Sequence, residues 1–470
     1  MLFRSDAGVA LGPMRLCAHR SLIHFHHEFR IQRKLSQDVR HNSTMLPAQS
    51  PCSHATSKTG QPFQRDLVIA GLFPMNDGLQ KRIMKNIYSS LLRGIRNVLL
   101  VVICTLGLGL SANAVGMRAT ITTFDAPGAG TAASQGTFPS GINLLGSITG
   151  FTRDANSARH GFLRAPDGTF IIFDDPAAGS CSTSCGTIGN GQGTRAYAIN
   201  LFGEITGFYT DNTGRCHGYV RAAGGSFTQI DAPDAGTGPF PQGTFPSEFT
   251  PMGINLLGGI TGFYVDASLV QHGFVRAANG AITEFDPTGS TFTNPNAIDD
   301  LGEITGFYVD ASGVGHGFLR TLGGTITTFD APGAGTAAGQ GTFGVGLTLN
   351  REIEGVYVDA NGVLHGFVRS NRGTFTTFDV PSAGTGAGQG TLPESNNTLG
   401  AIAGNYIDTN FVNHGFLRNL QGGFSLFDVP GPGIGAGQGT IPLDNNNLGA
   451  ITGEFIDGGN VIHGFLVQGL

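Results

Sequence analysis

The sequence predicts an all-β fold, a seven-bladed β-propeller closed by an N-terminal strand that completes the last blade. Three observations lead to this prediction. A His-Gly-aromatic tripeptide occurs seven times. Four short β-rich runs separated by Gly, Asn and Asp turns surround each complete copy. A lone β-rich run precedes the first copy, and the last copy lacks its fourth run.

Composition supports an all-β protein. Glycine accounts for 75 of the 470 residues, and 40% of the residues are hydrophobic. Such a chain is too apolar for a disordered linker and too rich in glycine for a helical bundle. Short runs of Phe, Ile, Val and Thr between Gly, Asp, Pro and Asn are typical of strands joined by many turns.

The first 114 residues are predicted to lie outside the fold. Residues 84–114 have a basic start, an apolar run over 98–110, and small residues at Ala112 and Ala114. These features indicate a signal peptide cleaved after Ala114. The alternative is an uncleaved membrane anchor, but the run is shorter than the ~20 residues of a typical span. We expect Met84 to be the true start, with residues 1–83 an upstream non-native or disordered segment.

Export would place the mature domain, residues 115–470, in a secreted, periplasmic or cell-surface location. This segment contains 13 arginines, no lysine and 28 acidic residues, a net charge of −15. Phosphate neutralisation supplies most nucleic-acid affinity, so we expect no nucleic-acid partner. We also expect a monomer without a stable membrane span after signal cleavage.

The repeat has three invariant polar landmarks besides its glycine. The seven histidines are all the histidines of the mature segment: His160, His217, His272, His316, His365, His414 and His463. An aspartate precedes each of them: Asp154, Asp211, Asp266, Asp310, Asp359, Asp408 and Asp457. A further Asp ends a β-rich run seven times, the first of them before the first histidine: Asp125, Asp174, Asp231, Asp286, Asp330, Asp379 and Asp428.

Each copy parses into four strands within about 45–50 residues, the unit size of a propeller blade. We place the first strand near segments such as 253–255 and the second at 303–309. The third strand falls at 316–320 and the fourth at 325–330. The orphan strand at 119–125 would complete the last blade, which stops near Gln468. Closing the ring in this way removes two open strand edges.

The repeated histidine permits two interpretations. A catalytic histidine with an orienting aspartate needs one convergent pocket, whereas seven equivalent copies spread around a ring. We therefore interpret the seven histidines and the seven aspartates that precede them as structural residues that hydrogen-bond within each blade. The Asp that ends the fourth strand is expected to cap a turn, and the arginine that closes the histidine strand to form a weak surface salt bridge.

No metal or cofactor is predicted. The repeated Asp-x-x-Gly turn lacks the alternating oxygen ligands of an EF-hand loop. Cys181 and Cys185 share one loop and could form a disulfide in an oxidising compartment; free thiols are the alternative. Cys216, next to His217, is interpreted as a buried thiol.

Long glycine-rich loops connect the fourth strand of one copy to the first of the next. A Gln-Gly-Thr triplet recurs in them, and we assign its glutamine to a binding face or, alternatively, to loop-to-loop hydrogen bonds. These glutamines are Gln135, Gln192, Gln242, Gln340, Gln389 and Gln438. One loop, residues 287–298, lacks the triplet and breaks the regularity around Asn294 to Asn296.

The motif I-N-x-x-G-x-I-x-G followed by His-x-Phe resembles the HAF-repeat family of exported bacterial proteins. Matching stretches run from Ile199 to Tyr219 and from Ile254 to Phe274. The middle residue of the tripeptide is Gly rather than Ala, so the chain is similar to a variant branch. The resemblance covers about residues 118–470. It implies a secreted or cell-surface location and brings no catalytic residues.

Together these features predict a secreted binding or structural module for an extracellular protein or glycan, without catalysis. The alternative is a polysaccharide hydrolase or lyase with acid and base groups in the central funnel. In that case the non-repeated carboxylates Glu248, Glu284 and Glu394 would matter more than the repeated aspartates.

Overall fold

The computed structural model describes residues 119–180, 191–247 and 250–470. The segments 1–83 and 84–114, assigned above to an upstream extension and a signal peptide, lie outside these residues, as do Cys181, Cys185 and Glu248. The described residues form 28 β-strands and no helix. No helix in these ranges is therefore long and apolar enough to cross a membrane.

The strands are short and follow one another at regular intervals. The first thirteen are β1 (Thr120–Phe124), β2 (Gly136–Ile142), β3 (Ile148–Arg153), β4 (Arg159–Arg164), β5 (Phe170–Phe173), β6 (Gly193–Ile199), β7 (Ile205–Thr210), β8 (Cys216–Arg221), β9 (Phe227–Ile230), β10 (Gly243–Pro246), β11 (Ile260–Val265), β12 (Gln271–Arg276) and β13 (Ile282–Phe285). The others are β14 (Phe292–Ile298), β15 (Ile304–Val309), β16 (Gly315–Arg320), β17 (Ile326–Phe329), β18 (Gly341–Leu347), β19 (Ile353–Val358), β20 (Leu364–Arg369), β21 (Phe375–Phe378), β22 (Gly390–Asn396), β23 (Ile402–Ile407), β24 (Asn413–Arg418), β25 (Phe424–Phe427), β26 (Gly439–Asn445), β27 (Ile451–Ile456) and β28 (Ile462–Gln468).

Successive strands pair antiparallel in groups of four, which we number as units 1 to 7. Unit 1 is β2–β5, unit 2 is β6–β9 and unit 3 is β10–β13. Units 4, 5 and 6 are β14–β17, β18–β21 and β22–β25. Unit 7 consists of β26, β27 and β28 together with β1 from the other end of the domain.

The two ends of the described domain meet in unit 7. Strand β1 pairs antiparallel with β28 from Thr120 opposite Gln468 to Phe124 opposite Gly464. One parallel bridge links the third strand of each unit to the first strand of the next, and the bridge between Gly136 and Ile462 closes the circle. Twenty-eight strands thus form a ring of short sheets, the arrangement of a multi-bladed β-propeller.

The first strand of each unit begins earlier than predicted. In unit 3 it is β10, which starts within the Gln-Gly-Thr triplet, whereas residues 253–255 provide only the isolated bridge between Ile254 and Ile260. The glycine of the triplet is needed because the backbone of another strand approaches it closely, and not because it lies in a flexible loop. Gly243 has a φ of 130°, and a Cβ there would lie 2.2 Å from the Cys216 carbonyl oxygen. In unit 4, β14 likewise occupies most of the segment expected to be a loop.

Packing explains the glycine of the His-Gly-aromatic tripeptide. The aromatic residue, such as Phe318, is fully buried. The preceding Gly317 lies under the fourth-strand Phe329 ring, because a Cβ on Gly317 would be 2.2 Å from Phe329 Cε2. The absence of a side chain at Gly317 therefore lets Phe329 of the outermost strand pack directly on the third strand of the same unit.

Arginine joins neighbouring units in a way that the sequence did not predict. Instead of forming the expected salt bridge, the guanidinium of Arg369 lies 4.8 Å from the centre of the Phe329 ring in the preceding unit. The same stacking occurs between Arg164 and Phe124, Arg221 and Phe173, Arg320 and Phe285, and Arg418 and Phe378. Each such cation–π contact contributes about 0.5–2 kcal/mol.

Asparagines tie the units together at the turns between first and second strands. The Asn143 side chain accepts two amides of its own turn through Oδ1 and donates through Nδ2 to the Asn200 carbonyl of the next unit. The same link joins Asn200 to Asn255, Asn255 to Asp299, Asn397 to Asn446, and Asn446 back to Asn143. Units 4 and 5 carry Asp299 and Thr348 at this position, so the asparagine ring is interrupted there.

Candidate binding site on the loop face

Two kinds of connection lie at one end of the ring, which we call the loop face. The long loops enter the first strands, and the Asp-containing turns join the second and third strands. In unit 5 the Gly335 amide of the loop donates to the Val358 carbonyl, next to the turn that begins at Asp359. The asparagine turns occupy the opposite end, which we call the turn face.

Each repeated histidine contacts two aspartates at the loop face. Its Nδ1 lies within hydrogen-bond distance of the aspartate that ends the fourth strand, as in the 2.9 Å contact between His316 and Asp330. The seven pairs are His160–Asp174, His217–Asp231, His272–Asp286, His316–Asp330, His365–Asp379, His414–Asp428 and His463–Asp125, at 2.6–3.1 Å. The last pair joins residues 338 positions apart and spans the ring closure.

The aspartate before each histidine stands on the other side of the imidazole. Asp310 Oδ2 lies 3.6 Å from His316 Nε2, while its Oδ1 accepts the amides of Ser312 and Val314. The corresponding distances to Asp154, Asp211, Asp266, Asp359, Asp408 and Asp457 are 3.6–3.8 Å. Each unit thus holds an aspartate–histidine–aspartate set in which one carboxylate also caps a turn.

The sequence singled out the histidine and the turn aspartate but missed the closer partner. The aspartate that ends the fourth strand was expected to cap a turn, and it instead bonds the imidazole. In six units it follows the histidine by a constant 14 residues. That constant spacing is the signal that could have identified it. The structural role assigned to the fourteen repeated residues stays a prediction.

The sets are partly exposed and held by ring stacking. In units 2 to 6 the imidazole stacks on a second-strand tyrosine, with centres 4.8–5.1 Å apart, and in unit 7 on Phe455. Unit 1 has Thr152 opposite His160 instead, and this imidazole is the most exposed of the seven, at 34%. The Asp330 side chain is 56% exposed, so its carboxylate is accessible to a ligand.

Hydrogen bonds shift the pKa of some members of these sets. Burial alone would raise the pKa of Asp310, but amide hydrogen bonds from Val314 and Ser312, with His316, outweigh it and lower the pKa. The pKa of His160 is raised, chiefly by its hydrogen bond with Asp174, against the opposing effect of burial. Hydrogen bonds to the charged form favour that form in both cases.

The loop glutamines make hydrogen bonds within the protein. Gln340 Oε1 accepts the Ala337 amide of its own loop, and its Nε2 donates to the Ala360 carbonyl of the nearby turn. Equivalent contacts are made by Gln135, Gln389 and Gln438, and single ones by Gln192 and Gln242. The geometry matches the loop-to-loop alternative, while the assignment of these glutamines to a ligand stays a prediction.

Glu284 and Glu394, two of the non-repeated carboxylates named above, lie on different strands of different units. Glu284 lies on the outermost strand β13, where it accepts the Asp234 amide of the neighbouring loop. Glu394 lies on the innermost strand β22 and is partly exposed. Cys216 on β8 is a fully buried thiol. Across the described residues, no three His, Cys, Asp or Glu side chains are arranged to hold a metal ion.

The turn face carries exposed apolar residues, one in each of five units, that sequence reasoning missed. The third residue of the asparagine turn is apolar in six units and more than half exposed in most of them. Its exposed members are Leu145, Phe202, Leu257, Leu399 and Leu448. Unit 5 has Asn350 at this position. Such residues would mark a protein-binding surface if they formed one contiguous patch.

Several solved structures show a distant likeness. The lectin BP39L from Burkholderia pseudomallei has a TM-score of 0.46 and 11% identity, over 72% of this chain and 97% of the lectin. A puromycin hydrolase has a TM-score of 0.44 and 11% identity, over 69% of this chain and 51% of the hydrolase. TolB from Acinetobacter baumannii has a TM-score of 0.34 and 10% identity, over 77% and 83% of the two chains. No family model and no curated protein matches the chain.

Proposed function

We propose that the chain is an exported seven-bladed β-propeller, similar to the HAF-repeat proteins, that binds a hydroxyl-rich glycan through its loop face. The observation that carries the proposal is the sevenfold repetition of a partly exposed aspartate–histidine–aspartate set. Repetition at equal angular intervals suits a ligand that itself repeats, because several weak contacts then combine into strong attachment.

The chemistry of the set favours neutral sugars. An ionised carboxylate only accepts hydrogen bonds, and sugar hydroxyls are donors. In unit 4, the hydrogen bond from His316 fixes the orientation of the Asp330 carboxylate, and stacking on Tyr308 fixes the orientation of the His316 imidazole. Polyanions would be repelled by fourteen carboxylates on one face and by the acidic charge of the domain.

Binding is a better fit than catalysis for these residues. A catalytic site requires one convergent set of groups, whereas the aspartate–histidine–aspartate sets are equivalent and separate. Of the carboxylates considered for an enzyme, Glu284 lies on an outermost strand and Glu394 on an innermost strand of a different unit, so these two do not form one convergent pair. We therefore propose a module without catalytic activity.

The experiment is binding of the purified mature domain to an array of neutral and acidic oligosaccharides, followed by calorimetry with the strongest neutral one. We expect several equivalent sites for each chain. Replacing one carboxylate, with Asp330→Asn, should remove one site and leave the affinity of the others unchanged. Asp167→Asn, an exposed change on the turn face, is the matched control and should leave the stoichiometry unchanged.

Two outcomes would contradict the proposal. One is the absence of binding to every neutral oligosaccharide by a correctly folded domain. The other is complete loss of binding from Asp330→Asn alone, which would indicate a single site. Turnover of any array sugar would favour the hydrolase or lyase.

A protein partner is the second candidate, and the exposed apolar side chains of the turn face favour it. Cross-linking on intact cells, with the domain carrying Leu145→Ser and Leu448→Ser as comparison, tests this candidate. A cross-linked protein that disappears only with the double variant would support it. Equal cross-linking by both forms would count against a turn-face partner.

A further inference from the structure

The sevenfold pattern breaks sharply at the second position of the second strand. In five units this residue is a threonine whose hydroxyl donates to a carbonyl of the third strand. The five are Thr149, Thr206, Thr261, Thr305 and Thr452. Unit 5 carries Glu354 there, and unit 6 carries Ala403. A long carboxylate therefore replaces a short hydroxyl at the junction of units 5 and 6.

Glu354 is buried without hydrogen bonds. Its side chain has no solvent exposure, and neither carboxylate oxygen has a hydrogen-bond partner among the described residues. Asn396 on β22 contributes a third buried acceptor, Oδ1, that also lacks a partner. Burying an acceptor without a hydrogen-bond partner is unfavourable, so three such oxygens close together point to a missing partner.

The two side chains converge on one backbone position. A Cβ built on Gly346 would lie 2.5 Å from Glu354 Oε1 and 2.5 Å from Asn396 Oδ1. Gly346 pairs with Glu354 across the strands immediately after a β-bulge. The glycine and the bulge together provide the space in which these oxygens meet.

A second carboxylate lies close to this cluster. Burial is the main cause that raises the pKa of Glu354 well above its ordinary value, and the negative charge of Glu394 raises it further. The backbone amide of Gly346 opposes this increase in the pKa of Glu354, although it is not positioned to form a hydrogen bond with the carboxylate. Glu394 is partly exposed on the innermost strand, two residues before Asn396 on the same strand.

We propose that Glu354, Glu394 and Asn396 form a binding site for a hard divalent cation of the Ca²⁺ type at the junction of units 5 and 6. Carboxylate and amide oxygens are the ligands that Ca²⁺ prefers, and water completes its coordination in many proteins. The ion would partner all three orphan oxygens and neutralise two neighbouring carboxylates. The proposal is independent of the glycan site, which lies on the loop face.

A bound proton is the competing explanation. A protonated Glu354 could donate to Asn396 Oδ1 and satisfy part of the cluster without an ion. One substitution distinguishes the bound cation from the bound proton. Asn396→Asp adds a negative oxygen ligand, which strengthens a cation site and increases repulsion in a protonated one.

The experiment is calorimetric titration of the chelator-treated, full-length mature domain with CaCl₂, and separately with MgCl₂. We expect one Ca²⁺ for each chain, with binding complete by about 10 mM, the range of extracellular calcium modules. Glu354→Gln should weaken binding at least about tenfold, and Asn396→Asp should strengthen it. Glu284→Gln removes a carboxylate on an outermost strand and should leave the affinity unchanged.

Circular dichroism of each variant confirms that it is folded before titration. The proposal is overturned if the wild-type domain shows no saturable Ca²⁺ binding. It is also overturned if Ca²⁺ binds but Glu354→Gln and Asn396→Asp leave the affinity unchanged, because the ion then lies elsewhere.

Discussion

Asp299 stands in the asparagine ring where five other units have asparagine. Its Oδ1 accepts the amides of Leu301 and Glu303, as asparagine Oδ1 does in the other turns. Oδ2 therefore takes the place of the amide nitrogen, which in the other turns donates to the carbonyl of the next unit. This oxygen is buried and has no hydrogen-bond partner among the residues that the structure describes. Asp299→Asn should supply the missing donor, directed at the Thr348 carbonyl.

The magnitude follows from the acidity of this carboxyl. Burial, helped by the charges of Glu303 and Asp300, raises the pKa of Asp299 to about 7. The unfolded chain has a pKa of about 4, so the folded state binds the proton more tightly. Stability linked to this proton is therefore complete below about pH 4 and is lost as the pH rises through about 7. A thousandfold difference in the acid dissociation constant corresponds to about 4 kcal/mol.

The assay is urea unfolding of the wild type and Asp299→Asn at several pH values. We expect nearly equal stability at about pH 4 and an advantage of the variant that grows to about 4 kcal/mol at pH 8. Asp444, whose pKa is also raised to about 7 by burial, is present in both proteins and cancels in the comparison. Asp167→Asn is the matched control, since that carboxyl is exposed. A pH-independent difference, or a less stable Asp299→Asn protein at pH 8, would refute the reasoning.

Three further predictions follow from the packing. Gly317→Ala places a Cβ against the Phe329 ring and should destabilise by about 1–3 kcal/mol in thermal unfolding; equal melting of this variant and the open-site control Gly323→Ala would count against it. Arg369→Met removes the stacking on Phe329 and should cost about 0.5–2 kcal/mol in urea unfolding; an unchanged midpoint would exclude that contribution. Asp174→Asn should lower the raised pKa of His160 in an NMR titration; an unmoved midpoint would contradict the assigned cause.

Much of the architecture could be predicted from sequence because each unit repeats the same short-range signals. Turn residues at fixed offsets marked the second, third and fourth strands, and the missing last strand indicated the partner of 119–125. The pairing of Thr120 with Gln468 confirms that the N-terminal strand completes the last unit. The first strands were placed too late, because glycine in the Gln-Gly-Thr triplet was interpreted as loop. The close approach of the Cys216 carbonyl to Gly243, which is visible only in the fold, explains why glycine occupies this position.

The chemistry of the sites was less accessible to sequence reasoning. The histidines and their preceding aspartates were recognised because they repeat, whereas the closer aspartate was assigned to a turn although its constant spacing of 14 residues from the histidine was visible in six copies. Contacts between units, such as Arg369 on Phe329, join residues whose proximity depends on how neighbouring units stack. The Glu354 cluster was missed for two reasons. Glu354 is notable only because other units have threonine at the same strand position, and its neighbour Asn396 belongs to the next unit.

Closure of the ring by β1 is the central claim, and a disulfide tests it most directly. Thr120 and Gln468 are opposite each other and exposed, and partners across an antiparallel pair lie about 4.5–5.5 Å apart at Cα. We predict that the double variant Thr120→Cys, Gln468→Cys forms an intramolecular bond on mild oxidation, found by peptide mapping of the monomer. A folded monomer with no such bond, or a bond formed only between two chains, would contradict closure.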